Sequence, residues 1–582
     1  MMTDFDPFTI EIVRDKLAAA ADEMGVVLAR TSMSPIVYEV LDFACGITDA
    51  DAQVISQTNG ITLFTGTFGP QVETIIDKYG IDGMRLGDVF ATNISYDGGT
   101  HTNDVCLVKP IFSQSEVVGF AVSVTHWIEI GGAVPGSIPP GATEVYQEGL
   151  RLPSIRVVNE GVVSKTVVDI IEANIRLPVT GIGDLNAGLA ALGIAERRVA
   201  ETCERYGLDL VKETFVHILE HGERVARAAL RSIPNGVYVA EDVIDGDGLS
   251  DDLIPIKVTV TVEDESLHAD FTGSAPQARG PINCASGALL SACKTVVRAI
   301  TDPQAKSNDG FFKPFTLKVP DGTVFSAQPP APTGWYYEAA SCANDLFWKA
   351  LAPVVPERLG AGSYMSLCAA YLTGIDRASG DLFVLVEPNV GGWGASSLSD
   401  GESALIATTD GDTYNFPIEV VETRYPVLMG RYGLDTDSGG GAGKYRGGLG
   451  CIREYRLHGA DNVSGHVSCS GFVRRPWALS GGQEGSANYL DYVRKDGLLR
   501  VGRVPKVELE DGDTATVVTA AGGGYGDPYE RDENQVLNDV LDGYVTLESA
   551  RDDYGVVIDA KAMTIDDKAT KERRIIRNDG AK

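Results

Sequence analysis

The sequence is poor in basic residues. Its 582 residues include 49 lysines and arginines against 81 aspartates and glutamates, a net charge of -32 with histidine neutral. A mean field of this sign repels the phosphate backbone of nucleic acids and the surface of anionic membranes. We therefore expect neither nucleic acid nor membrane as a partner.

The sequence also lacks a long hydrophobic run and an export signal. Residues 1–6 carry acidic side chains where a secretory signal needs a basic segment followed by an apolar one. A long charge-free stretch, residues 359–375, is interrupted by glycine and serine. A membrane span needs about 20 mostly apolar residues, so this stretch is too short and too polar. We expect a cytoplasmic protein.

No C-x-x-C pair occurs among the nine cysteines, which are widely spaced and odd in number. This pattern excludes a disulfide framework and a zinc ribbon. We predict that the cysteines are reduced residues of the core.

The sequence as a whole has the composition of an ordinary soluble enzyme, with 44% hydrophobic and 22% charged residues. This composition excludes disorder as the main state. The 66 glycines and 27 prolines imply many tight turns. Hydrophobic periodicity predicts a helix from residue 7 to about residue 29 and a strand hairpin over 43–54. Further strands are expected at 88–92, 104–108, 117–124 and 256–262, and further helices within 184–232, 285–301 and 338–352.

This order of elements predicts an α+β protein with a mixed multi-domain architecture and a glycine-rich, β-rich C-terminal half. We expect an N-terminal α/β domain over 1–235, a mixed middle region over 236–380, a glycine-rich β region over 381–530 and a helical tail over 531–582.

Two kinds of motif that occur in catalytic or nucleotide sites lack residues that the chemistry of those sites requires. His217 and His221 form an H-x-x-E-H pattern, but no third zinc ligand can be identified, so we reject a zinc peptidase. The glycine-rich run at 438–445 lacks the first glycine and the final Ser or Thr of a Walker A loop. The run at 521–528 opens no dinucleotide-binding helix, and we interpret both runs as tight turns.

A third constellation joins His101 and Asp104, spaced as H-x-x-D, to His126 and to Asp42 upstream. The predicted strands put these residues on loops or strand ends, which we expect to be exposed. Two imidazoles and two carboxylates could hold a divalent ion such as Zn, Mn or Fe with positions left for water. By spacing alone, an H-x-x-D motif on a loop is more often a surface hydrogen-bonding cluster than a metal site.

Segments along most of the chain resemble the B-type subunits of the ATP-dependent hydantoinase and oxoprolinase family, which includes N-methylhydantoinase and caprolactamase subunits and is related to subunits of acetone and acetophenone carboxylases. The segments that carry the resemblance are Asp6–Ile12, Asp42–Cys45, Gly98–His101, His126 with Gly131–Gly132, Pro135–Ser137, Ala142–Leu150, Pro417–Val420, Arg446–Gly450 and Gly522–Pro528.

The resemblance implies a metal site in the N-terminal domain, formed and used in catalysis by Asp42, His101, Asp104 and His126. Two positions depart from the pattern of many members. Trp127 replaces a second histidine, and residues 408–410 replace a histidine-rich stretch.

The resemblance also implies that ATP and Mg bind to a separate A-type subunit, which phosphorylates the carbonyl of a cyclic amide. This chain would then contribute the metal site, where a bound water with a pKa near ~7 attacks the activated ring. The function implied is a hydantoinase, oxoprolinase or lactamase that is active only with its A-type subunit, as a heterotetramer.

A subunit of an ATP-dependent ketone carboxylase is the alternative that the resemblance permits. The length of this chain favours the cyclic-amide hydrolase, because the carboxylases tend to carry longer relatives of this protein. A non-catalytic scaffold is disfavoured because all four ligand positions are filled.

Overall fold

Helices and sheets alternate along residues 6–580, the part of the chain that this computed structural model describes. Helices account for 33% and strands for 25% of the residues, which confirms the predicted α+β class. Residues 1–5, at which the sequence predicts no export signal, and the last two residues of the predicted tail lie outside the described residues. Contacts divide the chain into two units, called unit 1 and unit 2.

Unit 1 comprises Met1–Asp242, Gly246–Phe347 and Thr408–Phe416. Its helices are α1 (Pro7–Thr31), α2 (Pro35–Tyr38), α3 (Thr62–Thr65), α4 (Phe68–Tyr79), α5 (Lys165–Asn174), α6 (Pro178–Tyr206), α7 (Leu208–Leu230), α8 (Ser286–Thr301) and α9 (Tyr336–Leu351), the last of which ends in unit 2. Its strands are β1 (Phe43–Asp49), β2 (Val54–Gln57), β3 (Val89–Thr92), β4 (Asp104–Ser113), β5 (Glu116–His126), β6 (Ile155–Asn159), β7 (Val162–Val163), β8 (Gly236–Ile244), β9 (Ile254–Glu263), β10 (Ser266–Asp270) and β11 (Phe315–Lys318).

Helix α1 begins where the sequence predicts it. The Asp6 side chain accepts the backbone N–H groups of Phe8 and Thr9 at 3.3 and 3.2 Å, and proline follows at the first helical position. The apolar residues of the helix recur at three- and four-residue spacing, and they form the face that packs against α6 and β1. The buried members of this face include Val13, Leu17, Met24 and Leu28.

A seven-stranded antiparallel sheet occupies the centre of unit 1, in the order β2-β1-β5-β4-β3-β6-β7. The predicted hairpin and the three predicted strands that follow it are confirmed as members of this sheet. The long strands β4 and β5 lie next to each other, and β5 also pairs with β1. The end of β5 therefore lies between the starts of β1 and β4.

A second sheet of unit 1 has the order β11-β10-β9-β8. Strand β9 contains the predicted period-two segment, and its burial alternates along most of its length. The predicted helices within 184–232, 285–301 and 338–352 are confirmed as α6, α7, α8 and α9.

Unit 2 comprises Val243–Asp245, Trp348–Ala407 and Pro417–Lys582. Its further elements are α10 (Ile418–Arg424), α11 (Glu533–Leu541), α12 (Leu547–Asp552), α13 (Asp567–Gly580), β12 (Ala369–Asp376), β13 (Leu382–Glu387), β14 (Val427–Leu434), β15 (Cys451–Leu457), β16 (Ala460–Ser468), β17 (Tyr489–Arg494), β18 (Gly497–Val501), β19 (Arg503–Leu509), β20 (Thr514–Val518), β21 (Ile558–Asp559) and β22 (Thr564–Ile565). They form sheets in the orders β13-β12-β16-β19, β14-β15-β20-β17-β18 and β21-β22.

The two glycine-rich runs pack backbone against backbone within unit 2. The N–H of Gly441 donates to the carbonyl of Gly522 at 3.0 Å, and the N–H of Gly522 donates to the carbonyl of Gly448 at 2.9 Å. A Cβ atom added at Gly447 would lie 1.9 Å from the carbonyl oxygen of Gly522, a distance that no side chain tolerates. The absence of side chains thus permits the close approach of these two backbone segments.

All nine cysteines are buried and none is in a disulfide, as the sequence predicts. Within residues 6–580, no helix has the length and apolar character needed to cross a membrane.

Candidate metal centre

Three neighbouring chain segments of unit 1 converge at one end of the large sheet. Asp104, the first residue of β4, lies directly opposite His126, the last residue of β5. On the other side of β5, the backbone N–H of His126 donates to the carbonyl of Asp42 at 3.1 Å, one residue before β1 begins. Residues paired across antiparallel strands project from the same face. The sheet register therefore brings together three residues that the sequence places at strand ends.

The fourth residue, His101, lies on the loop before β4. Side-chain amides hold this loop in place: Asn93 Nδ2 donates to the carbonyl of Thr102 at 2.7 Å, and Asn103 Nδ2 donates to that of Trp127 at 2.9 Å. The turn back to β4 is closed by the N–H of Asp104, which donates to the carbonyl of His101 at 3.1 Å. The imidazole of His101 consequently lies beside the Asp104 carboxylate.

Ligand atoms of three residues form a small triangle. Asp104 Oδ1 lies 3.0 Å from His101 Nε2 and 3.0 Å from His126 Nδ1, and the two nitrogens are 3.2 Å apart. The expectation of exposed loop ends is wrong, because the exposed fractions of His101, Asp104 and His126 are 3%, 2% and 4%. The protein sequesters these groups because adjacent loops and aromatic residues cover the end of the sheet.

This triangle fits a divalent ion. For an ion about 2.1 Å from each ligand, adjacent ligand atoms lie about 3.0 Å apart in an octahedron and about 3.4 Å apart in a tetrahedron. The observed separations of 3.0 to 3.2 Å fall in this interval. Imidazole combined with carboxylate is a donor set that suits Zn, Mn or Fe. In residues 6–580, this is the one group of three or more potential ligands within 4.8 Å of one another.

Hydrogen bonds leave the correct atoms available for an ion. His101 Nδ1 donates to the carbonyl of Gly334 at 3.0 Å, so the Nε2 atom of the neutral ring carries a lone pair directed at the cluster. Thr100 Oγ1 donates to Asp104 Oδ2 at 2.6 Å, which leaves Oδ1 as the ligand oxygen. His126 directs Nδ1 at the cluster, while its Nε2 is buried without a hydrogen-bond partner.

Burial and mutual attraction set the charges of this group. Burial opposes ionisation of Asp104, but the charge and hydrogen bonds of the two histidines outweigh it and hold the pKa of Asp104 well below its ordinary value. Burial also disfavours the charged form of His101, yet the charge and hydrogen bond of Asp104 raise the pKa of that ring. Burial dominates at His126 and lowers its pKa. The cluster thus carries an ionised carboxylate at neutral pH.

Asp42 lies beside this triangle and outside it. Its side chain is not among the groups whose ligand atoms come within 4.8 Å of one another. Its Oδ1 atom is buried and has no hydrogen-bond partner. Burial raises the pKa of Asp42 well above its ordinary value, and the charges of Asp410 and Asp104 add to this effect. An unsatisfied carboxylate oxygen next to two other acids is the environment that a cation would stabilise.

Asp410 is a residue that the sequence analysis did not identify as part of the site. Its carboxylate interacts with those of Asp104 and Asp42, and burial raises its pKa to about 6. Thr413 Oγ1 donates to Asp410 Oδ2 at 2.5 Å. The sequence cue was indirect: residues 408–410 replace the histidine-rich stretch of many family members. No local pattern marks this aspartate.

Aromatic side chains form one wall of the centre. The ring centroid of Tyr336 lies 4.8 Å from that of His101, and the ring of Tyr337 lies 6.4 Å from it in an edge-on arrangement. Burial raises the pKa of Tyr336 well above its ordinary value, and the charge of Asp104, to which the Tyr336 side chain hydrogen-bonds, adds to this shift. The hydroxyl therefore stays protonated. Neither tyrosine was predicted from the sequence, since an aromatic run at the start of a helix usually belongs to the core.

Glu148 supports the centre from behind. Its Oε1 accepts the N–H groups of Thr333 and Gly334 at 2.8 and 2.7 Å. Burial raises the pKa of Glu148 to about 7. Glu148 belongs to one of the segments that carried the family resemblance, but its role was not predicted.

The H-x-x-E-H pattern is not part of this centre. His217 is half-buried and His221 is exposed on α7. Neither belongs to the group of potential metal ligands found in the described part of the chain.

Comparison with known proteins identifies the family. The profile of the family described as Hydantoinase B/oxoprolinase matches residues 6–528. The B-type chain of the putative D-/L-hydantoinase of Pseudomonas sp. strain NS671 is 34% identical to this chain, over 98% of each protein. The beta chain of the caprolactamase of Pseudomonas jessenii is 31% identical, over 98% of this chain and 100% of its own length.

Solved structures agree with the sequence matches. The crystal structure of the ATP-dependent caprolactamase from Pseudomonas jessenii has a TM-score of 0.92 at 29% identity, and the match covers 98% of this chain and 100% of that chain. The nucleotide-free acetone carboxylase also has a TM-score of 0.92, at 20% identity, over 99% of this chain and 83% of that chain, which shows a shared fold. The chain therefore belongs to the hydantoinase B/oxoprolinase family.

Proposed function

We propose that this chain is the metal-binding component of an ATP-dependent cyclic-amide hydrolase that opens a hydantoin, oxoproline or lactam ring. The observation that carries the proposal is the buried triangle of His101 Nε2, Asp104 Oδ1 and His126 Nδ1 with sides of 3.0 to 3.2 Å. The names of the relatives, a hydantoinase and a caprolactamase, support the substrate class.

We assign Asp42, His101, Asp104 and His126 as the residues that would hold the ion and serve in catalysis. A divalent ion such as Zn, Mn or Fe supplies Lewis acidity and lowers the pKa of water toward ~7. Asp42 would complete the set with its unpartnered Oδ1 atom.

Two further residues have chemistry that the ring opening requires. Asp410, with a pKa of about 6, is ionised at neutral pH and can accept a proton from the attacking water. Thr413 donates to its Oδ2, so the proton is taken on Oδ1. The neutral hydroxyl of Tyr336 can donate a hydrogen bond to the oxygen that gains charge when the amide carbon is attacked.

The ATP-dependent step belongs, in this proposal, to a partner A-type subunit. Neither glycine-rich run of this chain has the residues of a Walker A loop. Phosphorylation of the ring carbonyl by the partner, with ATP and Mg bound there, makes the amide carbon electrophilic. The complex would be a heterotetramer with two copies of each chain, because closed symmetric assemblies predominate among enzymes. Nine cysteines without a disulfide support a cytoplasmic location.

The test uses the complex reconstituted with its A-type partner, ATP and a panel of lactams, hydantoins and ketones in water enriched in oxygen-18. Ring hydrolysis puts the label into the new carboxylate and has no bicarbonate requirement. Incorporation of labelled bicarbonate into the product would instead establish the ketone carboxylase alternative. Turnover of cyclic amides by the isolated chain, without ATP, would contradict the division of labour between the two proteins.

A further inference from the structure

A second cavity lies in unit 1, apart from the metal centre. Its volume is about 560 Å³, and none of the four proposed metal ligands lines it. Its wall is formed by the end of β2, helix α3, one face of α8, the segment 303–312 and the residues Gly411 and Asp412. It is therefore a distinct site, separated from the metal centre by the segment that carries Asp410.

The face of α8 that lines this cavity is polar. Ser291, Lys294, Thr295 and Arg298 follow each other at the spacing i, i+3, i+4 and i+7, which puts all four on one side of the helix. The remaining helix surface is largely buried and apolar. A polar stripe on an otherwise buried helix indicates that the cavity takes up a polar occupant.

Arg298 is incompletely partnered. Its Nη2 donates to the carbonyl of Ala305 at 2.7 Å, and its guanidinium carbon lies 3.8 Å from the ring centroid of Phe311. Its Nη1 is buried and has no hydrogen-bond partner. Burial lowers the pKa of this guanidinium to about 10, with Asp302 as the carboxylate that opposes the effect. A partly buried guanidinium with an unpartnered N–H group is stabilised by an added anion.

The other charges around the cavity do not compensate Arg298. Lys294 Nζ pairs with Asp309 at 2.8 Å, and Asp309 also accepts the backbone N–H of Val54 at 2.7 Å. Lys306 Nζ pairs with Asp22 at 2.9 Å on the surface. Three basic residues and two acidic residues line the cavity. The two lysines are thus paired with Asp309 and Asp22, and Asp302 is the carboxylate whose charge acts on Arg298.

We propose that this cavity is an oxyanion subsite that binds a phosphate or carboxylate group through Arg298 and Lys294. A guanidinium with free N–H donors forms strong, charge-assisted hydrogen bonds with either group. The amide of Gln57, which also lines the cavity, supplies a further donor.

The subsite adjoins the metal centre through one segment. Thr62, in the cavity wall, donates its hydroxyl to the carbonyls of Thr408 and Thr409 at 2.9 and 2.7 Å. The next residue, Asp410, has its carboxylate among those of the metal centre, and Gly411 returns to the cavity. The source of the anion rests on the proposed function: it is either the phosphoryl group that leaves the activated amide or the carboxylate that ring opening creates.

The experiment measures anion binding to the isolated full-length chain after removal of metal by chelation. Sodium phosphate and sodium acetate are titrated separately by calorimetry at constant ionic strength set with chloride. We expect saturable binding of one anion per chain. Tighter binding of phosphate identifies the phosphoryl source, and tighter binding of acetate identifies the carboxylate source.

Three variants decide whether the cavity is responsible. Arg298→Gln should weaken binding by about tenfold or more, because it removes a charge-assisted contact. Lys306→Gln should weaken it about two- to threefold, since this side chain contributes only a peripheral charge at the cavity wall. Arg198→Gln, at an exposed ion pair of α6 with Glu23, is the matched control and should bind as the wild type does.

The outcomes separate this inference from the proposed function, since no ATP, partner or turnover is involved. Absence of saturable binding of either anion to the wild type would overturn the inference. Equal affinity in the wild type, Arg298→Gln and Lys306→Gln would also overturn it. If circular dichroism shows that Arg298→Gln does not fold, Lys306→Gln decides, because its surface pair contributes little to stability.

Discussion

The buried carboxylate of Glu148 accepts the backbone N–H of Gly334 at 2.7 Å. The carbonyl of the same glycine accepts the Nδ1–H of His101 at 3.0 Å. Glu148 therefore acts on the imidazole through one residue. It fixes the turn at Gly334, whose carbonyl determines which ring nitrogen of His101 faces the metal centre. Groups that orient a ligand in this way contribute to metal affinity without contacting the metal.

Replacement of Glu148 should weaken metal binding. Glu148→Ala leaves the two N–H groups of the turn unpaired, so we expect a loss of about 10- to 100-fold in metal affinity. Glu148→Gln keeps an acceptor oxygen and should lose much less. Competition with a chelator of known affinity measures the effect. Glu172→Ala, at an exposed position of α5, is the control. If both Glu148 variants bind metal with the affinity of the wild type, the carboxylate does not position His101.

The ligands themselves should control metal content. Elemental analysis of the wild type should give about one ion per chain, since a single triangle of ligands occurs in the described residues. His101→Ala and Asp104→Asn should each lose most of the metal and the activity of the reconstituted complex. His217→Ala on α7 should retain both. A fully metal-loaded His101→Ala variant would remove this residue from the ligand set.

The sequence predicts where the strands end better than it predicts which strands pair with each other. The pattern of apolar residues and turn residues was sufficient to put Asp42 before β1, Asp104 at the start of β4 and His126 at the end of β5. That β5 lies between β1 and β4 depends on long-range pairing, which local periodicity does not encode. The family resemblance supplied the link between these positions.

Asp410 and Tyr336 were not predicted because their roles arise only from tertiary structure. Asp410 comes from a separate segment, Thr408–Phe416, that packs into unit 1 after a long excursion of the chain through unit 2. Tyr336 begins a buried helix, where an aromatic residue is expected from packing alone. Residues of this kind have no spacing signature relative to an H-x-x-D motif.

The hydroxyl of Tyr336 should matter more for turnover than for metal binding, because Asp104, to which it hydrogen-bonds, keeps its hydrogen bond from Thr100. Tyr336→Phe keeps the ring that lies 4.8 Å from His101 and removes only the donor. If the hydroxyl stabilises developing negative charge, kcat of the reconstituted complex should fall about 10²- to 10³-fold. Metal content and KM should change little. Tyr337→Phe, whose ring is farther from His101, is the matched control. An unchanged kcat in Tyr336→Phe would exclude this role.

Unit 2 contains a buried ion pair whose disruption should be costly. Arg453 Nη2 lies 2.9 Å from Glu387 Oε1, the Tyr455 hydroxyl donates to Glu387 Oε2 at 2.5 Å, and all three side chains are buried. Glu387→Ala leaves the guanidinium buried without its carboxylate, so we expect a loss of about 3–5 kcal/mol in the free energy of unfolding. Urea unfolding measures this loss. Asp461→Ala, at the exposed pair with Arg377, should change stability far less.

Asp184 should make the free energy of unfolding depend on pH, and one substitution should remove this contribution. Asp184 Oδ1 accepts the N–H groups of Met33 and Ser34 at 2.8 and 3.0 Å, while its Oδ2 is buried without a partner. Burial raises the pKa of Asp184 to about 6. The folded protein then binds this proton more tightly than the unfolded chain, whose aspartate has a pKa of about 3.9. Stability from this group therefore falls as the pH rises from about 4 to about 6, and stays low above that.

Asp184→Asn keeps the oxygen that accepts both N–H groups and removes the ionisation. We expect the free energy of unfolding of the variant, minus that of the wild type, to increase by about 1–3 kcal/mol between pH 4 and pH 7 and then to remain constant. Urea unfolding of both proteins at several pH values measures this difference, and the titration of all other groups cancels in it. A difference that does not change with pH would mean that Asp184 ionises in the folded protein as it does in the unfolded chain.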